Sequence, residues 1–382
     1  MKNFALGLSV ATATLALALQ SPTAASFDRL TLKTGKQPGP VTIADFNHDG
    51  RNDIAVGNTA DGTVTIFLNQ GDGRFREAPG SPFAAGNNPN DIAAADVNND
   101  GKLDLVIANH QNPYITILLG RGDGTFAPSP ASPIDVQVRP HPHAVAVADF
   151  NHDGKSDVVV DSWGNDEVKV LLGDGKGGFQ MPGVTYKVGK HPYQRHRVAD
   201  VNGDGNADIV TTGFEAAAVT VLLGDGKGGF KEAAGSPFAA GENPFAEVIA
   251  DLNHDGRPDL AVANFSGQGT DFSRDAVNIL YGDGTGRFRR GATLQTGHAP
   301  VMIAAGDVEG RGETDLATAN MMGRSVTLLL NHGGRFDRTD VEIGNHPEGI
   351  AIARLLEGRA SSIVAANLED DTIVILTMKP RR

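Results

Sequence analysis

The nine residues DFNHDGRND, Asp45 to Asp53, place acids or an asparagine at positions 1, 3, 5 and 9 and a glycine at position 6. The pattern returns as DVNNDGKLD at 96, DFNHDGKSD at 149, DVNGDGNAD at 200 and DLNHDGRPD at 251. A sixth copy, DVEGRGETD at 307, has lost its central acid, and a seventh, RLLEGRASS at 354, keeps only the frame. Successive copies start 51, 53, 51, 51, 56 and 47 residues apart. A period near fifty residues requires units that stack in a row or close in a circle.

Each unit has the same internal order. In the fourth, RHRVAD leads into the acidic loop, and DIVTTG, AVTVLLGDG and GGFKEAAG follow. Each run is short, β-branched or apolar, and bounded by Gly, Asp or Asn, which predicts four strands, A to D. The turns Gly71 to Phe75, Gly173 to Phe179, Gly224 to Phe230 and Gly282 to Phe288 read as C–D hairpins. Four strands per unit, repeated radially, predict an all-β, seven-bladed β-propeller with four-stranded blades. The last unit stops after TIVILTM (Thr372 to Met378), one strand short. The stretch Phe27 to Lys33 matches the D strand starting at Phe336. The N-terminal strand is therefore expected to complete the seventh blade and remove two open edges.

The D-x-N-x-D-G-x-x-D loops and Gly-Asp-Gly…Phe turns resemble those of the FG-GAP/VCBS repeat family, the propellers related to integrin α-chain heads. The resemblance runs from Phe27 to Met378. It implies calcium in the A–B loops. It implies no single activity, because the family contains adhesins, lectin-like modules and polysaccharide-degrading enzymes.

The residues themselves point to the same ion. Calcium takes six to eight hard oxygens. The first loop offers side-chain oxygens from Asp45, Asn47, Asp49 and Asp53 and the carbonyl of Arg51. The same frame selects Asp96, Asn98, Asp100, Lys102 and Asp104, then Asp149, Asn151, Asp153, Lys155 and Asp157. It also selects Asp200, Asn202, Asp204, Asn206 and Asp208, and Asp251, Asn253, Asp255, Arg257 and Asp259. Five calcium ions are expected. His48, His152 and His254, at even places, should point outward, which disfavours zinc in these loops. An EF-hand would need a bidentate Glu at position 12, where Val56 stands. In the sixth loop Arg311 is expected to fold in as an internal cation between Asp307 and Asp315, and neither damaged copy is expected to bind metal.

The N-terminus carries Lys2, an apolar run from Phe4 to Leu19, and the small residues SPTAAS. This reads as a secretory signal, residues 1–25, cleaved after Ala25, leaving one propeller over 26–382, secreted or periplasmic. The apolar run is short and broken by Ser and Thr, so no membrane span is expected. No cysteine is present, so there is neither a disulfide nor a thiolate site. A net charge of −13 argues against nucleic acid as a partner.

The A–B loops and C–D turns should share one face, and the D–A and B–C loops the other. The second face varies more between units, so a ligand is expected there. A proline recurs in each D–A lead-in: Pro38, Pro89, Pro142, Pro192, Pro244, Pro300 and Pro347. Around it stand His141, His143, His191, Tyr193, Glu242, Phe245, His298 and His346, with Tyr114, Trp163, Asp166, Phe214, Glu215 and the stretch Asn264 to Ala276 on the B–C side. Unit four adds Arg195, His196 and Arg197, and unit five Glu247. On one reading these arginines pair with Glu247 and the histidines are a solvated rim. On the other, units three to five form an axial pocket for an anionic glycan or a peptide carboxylate. The function expected is a calcium-stabilised binding module for a carbohydrate or protein partner. The alternative is a polysaccharide lyase, with Tyr193 or His196 as base and Arg195 or Arg197 neutralising a uronate.

Overall fold

A computed structural model of the chain describes residues 25–192, 196–266, 273–358 and 360–379. The expected signal segment, apart from Ala25, lies outside the described residues, as do Tyr193 and Arg195. Among the described residues no helix is long and apolar enough to cross a membrane.

The described strands form seven antiparallel sheets. Strand A of blades 1 to 7 is Pro38–Ala44, Pro89–Ala95, Val145–Ala148, Arg197–Ala199, Pro244–Ala250, Pro300–Gly306 and Pro347–Ala353. Strand B runs Asp53–Asn58, Asp104–Asn109, Asp157–Ser162, Asp208–Gly213, Asp259–Asn264, Asp315–Asn320 and Ser362–Asn367. Each B strand is buried along its whole length, as its unbroken apolar runs require in the middle of a covered blade. Successive A strands touch one another, and that of blade 7 touches that of blade 1, so the inner strands close a ring. At that junction Gly349 lies so near the carbonyl of Gly39 that a Cβ would sit 1.8 Å from its oxygen. Blades pack face to face through apolar clusters, such as Ile54, Val56 and Phe67 of blade 1 against Val364, Ile373 and Ile375 of blade 7.

The expected closure is present. Phe27–Lys33 pairs antiparallel with Thr372–Met378, from Phe27 opposite Met378 to Lys33 opposite Thr372. The N-terminal strand is thus the outer strand of the last blade.

The outer strands depart from expectation in blades 1, 2 and 4, where strand D is two short pieces. Ser81-Pro82, Ser132-Pro133 and Ser236-Pro237 lie in the breaks. Proline has no N–H for the ladder. The serine hydroxyls take the place of the missing partner, accepting from the N–H groups of Ile66, Ile117 and Val221.

The closing strand alternates half-buried Phe27, Leu30 and Leu32 with exposed residues. Removing residues 25–33 should strip blade 7 of its edge and lower the melting temperature sharply. Leu30→Ala and Leu32→Ala should each cost roughly 1 kcal/mol, as half-buried leucines do. Thermal unfolding by circular dichroism checks both, and an unchanged melt after truncation would contradict the closure.

Candidate functional site

The acidic loops share a tight internal geometry. The N–H of Asp49 points at both Asp45 Oδ1 (3.1 Å) and Asn47 Oδ1 (3.2 Å), and the N–H of Gly50 bonds Asp45 Oδ2 at 2.8 Å. The N–H groups of Asp100, Asp153, Asp204 and Asp255 do the same in the next four loops. Oxygens from positions 1 and 3 therefore lie on one side of each loop. Position 6 has φ between 78° and 85° in these five copies, a conformation suited to glycine. The donors are all oxygen, and residues of positions 1, 3 and 5 fit a hard cation.

Position 9 also holds the backbone. Both carboxylate oxygens of Asp53 are taken by backbone, Oδ2 by the N–H of Phe46 (3.0 Å) and Oδ1 by that of Asn69 (2.8 Å). It ties the A–B loop to the end of strand C. Asp104, Asp157, Asp208 and Asp259 repeat both bonds. So does Asp315 in the damaged sixth loop. Burial, reinforced by the other acids of the loop, pushes Asp53, Asp104 and Asp208 up to about 6. Asp315 reaches the same value without an acid at position 5, so burial is the main cause.

One expectation about the loops needs correction. Arg311 does not sit between Asp307 and Asp315; its guanidinium pairs with Glu309 and reaches His332 Nδ1. Asp315 instead accepts the backbone N–H groups of Val308 and Asn331, one on each carboxylate oxygen. The even-place histidines His48, His152 and His254 are exposed, as expected, and two of them also make contacts at the surface. His152 Nε2 lies 2.9 Å from Asn206 Oδ1, and His254 Nε2 lies 2.7 Å from Glu313, each reaching the loop of the next blade.

On the opposite face a cavity of about 510 Å³ opens on the ring axis. The repeat builds it. One ring of lining residues is the residue immediately after strand B: Thr59, His110, Trp163, Phe214, Phe265, Met321 and Leu368. Most are held by their N–H donating to the carbonyl of the residue before the recurring proline, as Thr59 to Gln37 and His110 to Asn88. A second ring is the residue after that proline, which places Asn90, Phe245, Val301 and Glu348 on the wall. Phe214, Phe245 and Phe265 meet edge to face at 6.1 Å between centroids, and Trp163 stacks on His191 at 4.4 Å. Aromatic groups thus line blades 3 to 5, with Glu215 among them, while Gln37, Thr59, Asn88, Asn90 and Glu348 line blades 7, 1 and 2 beside Leu368.

Of the unit-four candidates, Tyr193 and Arg195 lie outside the described residues, and His196 and Arg197 are not among the residues that line this cavity. His196 is 1% exposed, with Nδ1 3.2 Å from Thr211 Oγ1 and Nε2 3.9 Å from Asp161. Burial holds its ring below the usual histidine range. Glu247 is fully buried, its carboxylate oxygens accept no hydrogen bond, and burial pushes it well above the usual range. Arg197 donates from Nε to the backbone carbonyl of Glu247, 3.0 Å away, not to its side chain. The expected hydrogen-bonded pairing of the Arg197 and Glu247 side chains is not formed, although the Arg197 charge still acts on Glu247 and opposes the effect of burial. Of the catalytic candidates, then, His196 and Glu247 are sealed from any ligand. No Lys or Arg is among the described residues lining the cavity, so the anionic-ligand reading has no described cation behind it.

His143 is likewise not a solvated rim residue. It is 3% exposed and gives Nδ1 to Asp161 Oδ2 at 3.0 Å. His110 and His141 pack against it, with centroids 4.7 and 4.8 Å away. Burial, with the neighbouring imidazoles adding, lowers His110 to about 4.

Residues 45–107, 96–160 and 200–262 match the FG-GAP-like repeat family. Over 149 residues the chain is 28% identical to integrin alpha-PS3 of Drosophila melanogaster, which covers 34% of this chain and 13% of the integrin. Among solved structures, BBS1N, crystallised in complex with ARL6DN, superposes with a TM-score of 0.63 at 14% identity, covering 94% of this chain and 98% of that one. An Agrocybe aegerita lectin that recognises non-reducing terminal N-acetylglucosamine superposes with a TM-score of 0.53 at 19% identity, over 90% of this chain and 87% of the lectin. At these identities the likeness is one of fold. The fold defines a seven-bladed β-propeller. Three stretches of the chain thus carry FG-GAP-like repeats, and one part of it is similar to an integrin α-chain.

Glu348, half-buried on the cavity wall, is pushed up to about 7 by burial. A raised carboxyl contributes stability that is fully present below 4.5 and lost as pH rises through 7. Glu348→Gln should therefore gain on the wild type in melting temperature as pH climbs over that window. A difference that stays constant with pH would contradict it.

Proposed function

We propose that this chain is an exported binding module whose A–B loops bind calcium as staples and whose axial cavity takes the end of a neutral carbohydrate. The observation behind the ligand class is the cavity's division. Aromatic faces on blades 3 to 5 suit the C–H faces of a sugar ring, and amides, a hydroxyl and a carboxyl on blades 7, 1 and 2 suit its hydroxyls. Among the described residues the wall holds no Lys or Arg, which favours a neutral sugar over the anionic glycan or peptide carboxylate of the pocket reading.

Support for calcium is the oxygen-only donor set and its repetition in five loops. Where positions 1, 3 and 5 hold the ion, position 9 holds the loop. Positions 5 and 7 also pair in part: Lys155 Nζ lies 3.0 Å from Asp153, and Arg257 Nη2 lies 3.1 Å from Asp255. An ion bound only by the folded state adds stability by linkage.

Two experiments test the reading. Chelation should lower the melting temperature sharply and calcium should restore it; an unchanged melt would remove calcium from the account. A panel of neutral and acidic glycans, read by calorimetry, should give binding to a neutral glycan. Phe245→Ala and Trp163→Ala should each weaken that binding at least about tenfold, the loss of one stacking platform. Binding confined to acidic glycans, or unaffected by both substitutions, would contradict the site.

A further inference from the structure

The histidine cluster at the junction of blades 2 and 3 has no part in sugar recognition as argued above. His110 follows strand B of blade 2, and His141 and His143 flank the recurring proline of blade 3. One ring nitrogen from each lies within 4.8 Å of the other two. Among the described residues this is the one group of three or more His, Asp or Glu side chains drawn together so closely.

A second observation shows that the cluster is built. Asp161 is fully buried at the second-to-last position of strand B in blade 3. The other blades carry Gly57, Ala108, Thr212, Ala263, Ala319 and Ala366 at that place. Burying a carboxylate there is costly unless its oxygens are used. Asp161 Oδ1 accepts the N–H groups of His143 (2.7 Å) and Ala144 (2.8 Å), and Oδ2 accepts Nδ1 of His143 (3.0 Å). The carboxylate therefore fixes both the backbone and the ring of His143, and an Nδ1–H tautomer leaves the lone pair on Nε2. A buried carboxylate orienting a histidine in this way is the usual support behind a metal ligand.

We propose that His110, His141 and His143 form a site for a divalent transition metal on the wall of the axial cavity, with Asp161 orienting His143 and one coordination position open to the cavity. Three imidazoles with no carboxylate or thiolate select zinc, nickel, copper or cobalt over calcium or magnesium. Metal–nitrogen bonds of about 2.0–2.1 Å in a tetrahedral arrangement need nitrogens about 3.4 Å apart, so the rings need move by less than about 1 Å each to close. Since His110 lines the cavity, the fourth position faces the space where a ligand would lie. None of the aromatic platforms named above is a ligand of this site, although the ring of His143 meets that of Trp163 edge to face at 6.0 Å.

The test uses untagged full-length protein, stripped with chelator and returned to millimolar calcium so that the acidic loops are occupied. Titration with zinc chloride, followed by calorimetry, should give one zinc per chain. Cobalt should give the visible absorption of an imidazole-bound ion. His110→Ala and His141→Ala should each weaken zinc binding by at least tenfold, and Asp161→Asn by about 10–100-fold, as loss of an orienting carboxylate does. Asp49→Asn, in an acidic loop, should leave the zinc isotherm unchanged. If Asp161→Asn does not fold, the two histidine variants, whose folding is checked by their melts, decide the matter. No zinc uptake by the wild type, or an equal isotherm for the wild type and the His110→Ala, His141→Ala double variant, would overturn the proposal.

Discussion

An aspartate with both carboxylate oxygens held by backbone N–H groups is the joint on which six of the seven blades turn. It is fully buried, and it links the entrance of the acidic loop to the far end of strand C. Each such charge-assisted bond is worth roughly 1.5–3 kcal/mol, and leaving the N–H groups unpaired would cost a similar amount. The residue at position 2 of the loop is consequently drawn inward. The buried side chains of Phe46, Val97, Phe150, Val201, Leu252 and Val308 then sit beneath the loops. The carbonyls of Phe46, Val97 and Phe150 accept an N–H from the C–D turn of the following blade. One carboxylate per blade thus ties loop to strand, and the bonds from position 2 tie blade to blade.

With one face pinned in this way, the other is free to vary without loss of the ring. The two lining positions, after strand B and after the recurring proline, are placed by main-chain hydrogen bonds common to most blades. Their side chains can therefore change from Thr59 to Trp163 to Leu368 at little cost to the scaffold. Blade 3 has gone furthest. It exchanges a small residue for Asp161 and the terminal asparagine of strand B for Ser162, and it surrounds Asp161 with histidines.

The repeat made the architecture legible. Period, strand order and the closing strand Phe27–Lys33 all follow from residues whose spacing the backbone dictates. The cavity was legible only in part. Trp163, Phe214 and Phe245 stand out as large groups in variable loops. Glu348, Asn90 and His110 do not, yet they occupy the same two repeat positions and were available from the alignment of the units. What the repeat frame could not supply was depth. His196 and Glu247 read as exposed, reactive groups because they break an apolar pattern, whereas the fold buries both. Asp161 lies inside a strand of otherwise apolar residues, and only the fold brings it to His143, eighteen residues earlier. The break in strand D was hidden for a similar reason: a serine hydroxyl can replace a backbone donor's partner without any change in hydrophobic pattern.

The loops on this account hold two separable layers: a carboxylate staple at position 9 and a cation layer at positions 1, 3 and 5. Blade 6 isolates the first, since it keeps Asp315 and has Arg311 in place of the central acid. The decisive measurement is the melting temperature of Asp315→Asn beside that of Asp49→Asn, each with calcium and with chelator. The account predicts that Asp315→Asn is destabilised to the same extent in both conditions, whereas the deficit of Asp49→Asn appears only when calcium is present. An Asp315→Asn protein that melts like the wild type would contradict it.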